Sequence, residues 1–168
     1  HPVIFTKKDV VDYSMYIPNV KKWRRAVADG SAVRLPCGIK LSVDKDVLPI
    51  TMPNDAGRNI AILGAAEDLQ AEGAIPGKSN MAVGILQSFA MSLVLQHPNG
   101  DARLIMIDGL APDVRKNSNI DRWLRLMERF GFPVEVVSAK DAADWFMNYY
   151  REIIDNPHDE DTYILGFG

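Results

Sequence analysis

The rhythm of apolar and polar positions changes near residue 57. Before it, a polar opening stretch carries one helical spacing, Val20, Trp23 and Val27, within residues 20–28. The run AVRLPCGIKLSVDKDVLPITMP then reads as two short strands, residues 34–41 and 47–51, joined by a polar turn at 42–46. Pro53, Asn54, Asp55, Ala56 and Gly57 break that pattern. After them, strand and helix signals alternate. NIAIL (59–63) is a short apolar run ending at Gly64, the pattern of a strand buried on both faces. Residues 80–96 are expected to be helical and ARLIMID (102–108) to be a strand. Residues 119–131 form an amphipathic helix closed by Gly131, with Trp123, Leu126, Met127 and Phe130 on one face. PVEVV (133–137) is a strand. Ser138 is placed as the N-cap of the helix that follows, with Ala142, Trp145, Phe146 and Tyr149 as its buried stripe. After the polar loop 155–161, TYILG is the last strand.

This alternation predicts an α/β fold, with right-handed crossovers and a mostly parallel sheet covered on both faces, preceded by a β-hairpin. Residues 1–32 are set apart as a linker with a helix, and residues 33–168 as the domain. No internal repeat or low-complexity segment interrupts it. The chain begins without Met and ends abruptly on TYILGFG, which suggests a piece of a larger protein.

Composition narrows the picture only a little. The 168 residues suffice for one domain with a core. A net charge of −3 gives no overall electrostatic case for nucleic acid, and the one dense basic run, Lys21-Lys22-Trp23-Arg24-Arg25, reads as a solvated helix face. The single cysteine, Cys37, excludes an internal disulfide or a Cys-rich zinc site and reads as a structural thiol. The longest apolar stretch, residues 81–95, is too short and too polar to span a bilayer, so no membrane contact is expected of this segment. His1, His97 and His158 are scattered, with no carboxylate or Cys at metal spacing.

The chemistry concentrates at Gly77-Lys78-Ser79, which runs into the apolar helix from Asn80. Backbone amides at a helix start bind anions, a Lys there reaches outer phosphates, and a Ser hydroxyl takes Mg²⁺. In an open parallel sheet, ligands bind beyond the carboxyl ends of the strands, where the loop after Gly64 falls. The tight phosphate loop is missing, however. Lys78 stands fourteen positions after Gly64, where the G-x-x-x-x-G-K-[ST] motif has six, and Glu72 occupies the place of the motif's first glycine. Glu67, Asp68 and Glu72 lie in the enlarged loop, and Pro76 removes an amide from it. The competing reading is that Gly77 and Ser79 merely start a helix. Asp108, at the carboxyl end of a strand, stands in a functional location; equally, it reads as a cap for the loop 109–112.

Taken together, GKSNMAVGILQSFAMSLVLQHPNGDARLIMIDGL, VEVVSAKDAADWFMNYYREI and LPCGIKLSVDKDVLPITMP resemble the motor core of the FtsK/SpoIIIE DNA translocases, in the HerA–FtsK group of RecA-like ATPases. The resemblance spans residues 33–168 and is strongest over 77–109. It implies a three-layer αβα RecA-like P-loop NTPase core that binds ATP and Mg²⁺. Gly64, Gly77, Lys78, Ser79 and Asn80 would contact the nucleotide, and Ser79 the metal. In that family the strand resembling LIMID precedes the Walker B strand, which here corresponds to TYILGFG. Gly166 and Phe167 therefore stand where an Asp-Glu pair is expected, and Asp108 is the fallback metal residue. An enlarged phosphate loop without Walker B acids resembles the degenerate modules of tandem secretion ATPases and large FtsK-like proteins.

Three readings follow. The first is an ATP-binding, DNA-translocase-type domain with little or no hydrolysis of its own. Its partners would be other domains of the same polypeptide in an oligomeric ring, with DNA or a secreted protein as substrate. The segment would be cytoplasmic, within a parent protein that can be membrane-anchored. The second is a pseudo-ATPase that works as an interaction or regulatory module, docking through residues 65–76. The third is an α/β enzyme without nucleotide that uses Asp108.

Overall fold

The computed structural model describes residues 21–24, 32–39, 47–53, 59–62, 81–97, 100–157 and 161–168. The chain divides into two compact units, one holding residues 1–62 and 87–98 and the other residues 63–86 and 99–168.

In the first unit, β1 (Val33–Ile39) and β2 (Val47–Met52) form the expected antiparallel hairpin, with Val33 opposite Met52. The register shifts between Pro36 and Gly38, leaving Cys37 as the extra residue of a bulge. Its Sγ–H donates to the Leu48 carbonyl at 3.1 Å, and burial pushes the thiol's pKa up, as a structural cysteine requires. Residues 21–24 are helical, with Trp23 buried and Lys21, Lys22 and Arg24 exposed to solvent.

Helix α1 (Met81–Gln96) contributes its stretch from Gln87 to this unit. Phe89, Ala90, Leu93 and Val94 are buried there, as are Leu35 and Val47 of the hairpin. Buried polar groups on the same helix are matched to strand β1. The Arg34 N–H donates to Gln96 Oε1 at 3.0 Å, and Gln96 Nε2 donates to the Arg34 carbonyl at 2.8 Å. Ser92 Oγ–H donates to that carbonyl too, at 3.2 Å. One fully buried amide thus supplies the hydrogen bonds that a third strand would supply.

The second unit is built on a three-stranded parallel sheet in the order β4-β3-β5, from β3 (Ala102–Asp108), β4 (Val134–Ser138) and β5 (Asp161–Phe167). Helices α2 (Pro112–Asn117) and α3 (Ile120–Arg129) connect β3 to β4, and α4 (Ala142–Asp155) connects β4 to β5. Register assigns the faces. Asp108 pairs with Phe167, so Ala102, Leu104, Met106, Asp108, Leu165 and Phe167 share one face. Trp123 of α3 packs on that face, 6.5 Å from the Phe167 ring. Ile105 pairs with Glu135, which puts Arg103 and Glu135 on the other face. Glu135 accepts from the Trp145 indole of α4 at 2.6 Å and from Arg103 at 2.7 Å, while Glu152 lies 3.5 Å from Arg103. Helices therefore flank both faces of this sheet, and the mixed α/β expectation with a parallel sheet and a separate hairpin is met.

Several local expectations are corrected. Residues 59–62 join neither sheet, and their side chains alternate between exposed and half-buried rather than being buried on both faces. A short apolar run becomes a strand only where another strand offers it a ladder, and periodicity does not show that partner. Ser138 does not cap a helix. It ends β4 in register with Asp108, residues 139–141 turn, and α4 starts at Ala142 with Asp141 before it. On α3 the buried residues are Ile120, Trp123 and Met127, whereas Leu126 and Phe130 are 42% and 57% exposed. On α4 no residue is buried: Ala142, Trp145 and Tyr149 are half-covered and Phe146 is exposed. A helix over three strands has only a narrow line of contact, so the true stripe is narrower than the apolar arc. The separate helix α2, opened by Pro112 at its first position, had no periodic signal to announce it.

Glu135 gives a pH test of this packing. Burial alone would raise its pKa, but the hydrogen bonds from Arg103 and Trp145 and the charge of Arg103 hold it below the ordinary carboxylate value. A depressed folded value stabilises above the unfolded pKa near ~4.3 and is lost as pH falls through the folded one. Because the pair is partly open to solvent, at 29% and 39% exposure, the contribution stays below about 1 kcal/mol. Glu135→Gln is expected to lower the urea midpoint slightly at pH 7, with the gap to wild type narrowing as pH falls below the ordinary carboxylate range. A gap that does not change with pH would count against the assignment.

Candidate functional site at the carboxyl edge of the parallel sheet

The three strands point their carboxyl ends the same way, placing Asp108, Ser138 and Phe167 along one edge. Loops leaving this edge are tied down by the main chain. Gly109 N–H donates to the Phe167 carbonyl at 2.6 Å and Ala139 N–H to the Asp108 carbonyl at 2.9 Å. A Cβ on Gly109 would stand 3.0 Å from that Phe167 oxygen, a tight contact that would push the two strand ends slightly apart.

Asp108 is the acidic residue the sequence places here, and both of its oxygens are engaged. The Leu110 N–H donates to Oδ1 at 3.2 Å, which caps the turn that leaves β3. Arg115, on α2, donates to Oδ2 through one guanidinium nitrogen. Its other terminal nitrogen donates to Asp121, on α3, at 2.8 Å. The guanidinium thus joins the end of β3 to the first turn of α3 and supplies the positive charge at the position where the sequence reading allowed a metal. Arg115 thus already balances the charge of Asp108 as it is held here. Sequence reasoning missed Arg115. Its seven-residue separation from Asp108 carries no motif, and only the fold of α2 back over the strand end brings the two together.

At the end of β5, Gly166 is exposed with open space where a Cβ would stand, and Phe167 is 4% exposed against Trp123. Phe167 is therefore a core residue. Gly64, Gly77, Lys78, Ser79 and Asn80 lie outside the described residues, as does the loop 65–76. Among the described residues no group of three or more His, Cys, Asp or Glu side chains is gathered to hold a metal ion. His97 is buried at the end of α1, where its N–H donates to the Leu93 and Val94 carbonyls at 3.2 Å. Among the described residues, no helix is long and apolar enough to cross a membrane.

Comparison with protein-family models finds no match, and neither do comparisons with curated proteins and with solved structures.

Proposed function

We propose that this chain is an ATP-binding domain of FtsK/SpoIIIE type that does not hydrolyse ATP by itself. The observation that carries the second half of this reading is the edge formed by β3 and β5. Asp108 is committed to Arg115 and to the Leu110 amide, and its neighbour in register, Phe167, is a buried aromatic. That edge offers no free carboxylate at the ends of these two strands to position Mg²⁺ or a water. Support for nucleotide contact comes from the sequence, in Gly77-Lys78-Ser79 and the helix that follows it. Lys78 would meet the outer phosphates, and Ser79 the Mg²⁺ that accompanies them. The acids needed for turnover would come from a partner domain of the same polypeptide or from a neighbouring subunit in a ring, acting on DNA or a protein cargo.

A second reading, an interaction module that has lost nucleotide altogether, is favoured by Arg115, because a cation built into the chain already neutralises Asp108. One titration separates the two. A fluorescent ATP analogue in Mg²⁺ is expected to bind saturably to the wild type, with affinity falling at least tenfold in Lys78→Ala. No saturation at millimolar analogue, with the circular dichroism of a folded chain, would establish the second reading instead.

A further inference from the structure

Helix α3 turns an unusual surface outward. A cleft of about 470 Å³ opens beside it, lined among the described residues by Asn119, Arg122, Trp123, Arg125, Leu126 and Arg129. Arg122, Arg125 and Arg129 are spaced i, i+3 and i+7, so they stand on one face over roughly 10 Å of helix. All three are exposed, and none has an ion-pair partner among the described residues. The acid of the first turn, Asp121, is already held by Arg115. Like charges three and four residues apart on a helix repel one another.

The floor of the same cleft is apolar. Leu126 is 42% exposed, and Trp123 closes the inner side with its indole N–H buried and without an acceptor. An N–H in that state is destabilising. Phe130, 57% exposed, stands one helical turn beyond Leu126 and extends the apolar strip.

We propose that this face docks an acidic amphipathic helix from a protein partner. Carboxylates at helical spacing would pair with the three guanidiniums, and one apolar side chain would seat on Leu126 and Trp123. Charge complementarity selects the acidic side of the partner, since arginine forks carboxylates in a bidentate manner. The apolar strip beside the arginines selects a helix over a nucleic-acid backbone, which would leave Leu126 and Phe130 facing phosphates.

The test uses the full chain and a labelled synthetic fourteen-residue helix with Glu at i, i+3 and i+7 and Leu along the adjoining line. Fluorescence anisotropy is expected to show saturable binding that weakens as salt rises. Arg122→Glu combined with Arg129→Glu should weaken it at least tenfold, and Leu126→Asn at least threefold, with circular dichroism unchanged. Lys78→Ala should bind the peptide as the wild type does. A scrambled peptide of equal charge should bind at least fivefold more weakly, and a short DNA duplex should not compete. Equal binding of ordered and scrambled peptides, competition by the duplex, or indifference to the arginine reversals would each overturn the proposal.

Discussion

Gln96→Glu is expected to destabilise the unit formed by the hairpin and the end of α1 by about 3–5 kcal/mol, for a change of one atom type. Gln96 is fully buried, and its Nε2 donates to the Arg34 carbonyl at 2.8 Å, the Ser92 carbonyl at 3.0 Å and Ser92 Oγ at 3.1 Å. Glutamate keeps the acceptor for the Arg34 N–H but sets a second oxygen against two carbonyl oxygens, and it brings a charge into a fully buried site. Gln96→Leu separates the two effects. It removes the hydrogen bonds without adding a charge and leaves the outer edge of Arg34 unpaired, at a cost of about 2–3 kcal/mol. Urea unfolding at pH 7 should therefore rank wild type above Leu and Leu above Glu. Burial would raise the pKa of the introduced carboxyl, so the Glu variant should gain stability as pH falls, when its proton restores one donor. A Glu variant within 1 kcal/mol of wild type at pH 7 would mean that the amide is not what holds the strand edge.

The role of Gln96 was hidden in the sequence for a physical reason. It sits in a helix of mostly apolar residues, where a glutamine reads as an interruption of the stripe; its partner, Arg34, is 62 positions away. What the sequence made legible was what local periodicity encodes. The hairpin strands and β3, β4 and β5 were legible within one or two residues, because β-branched and apolar runs between turn residues have few alternative uses. Helix α1 was legible from its unbroken length. The errors arose where a third partner decides the outcome. Residues 59–62 lacked a neighbouring strand, Ser138 was retained by the ladder to Asp108, and Leu126 and Phe130 stayed outside because α3 meets the sheet along Ile120, Trp123 and Met127. At the candidate site the position of Asp108 was legible, but its partnership with Arg115 was not. Helix α2 is six residues long and has no amphipathic pattern from which its return over the strand end could be read.

The end of β5 shows how far this edge is from an acidic one. Phe167→Asp is expected to remove about 5 kcal/mol or more: roughly 3–5 from the lost aromatic packing against Trp123, and more for placing a carboxylate in a 4%-exposed site. Typical domains hold only about 5–15 kcal/mol in all, so this variant should be largely unfolded at 37 °C. Gly166→Asp, one position earlier, should behave in the opposite way. A Cβ there meets nothing within 4 Å, the residue is exposed, and it lies on the face opposite Phe167. Its melting temperature should stay within a few degrees of wild type. Thermal unfolding of the two variants side by side checks the pair. A folded Phe167→Asp chain would mean that the aromatic is not part of the core and that an acid could be accommodated at this position. The expected result instead means that an acid at these two positions would meet two different environments. Phe167 serves the packing of α3, so an acid there costs the fold. Gly166 leaves a vacant place on the opposite face, where an acid costs little.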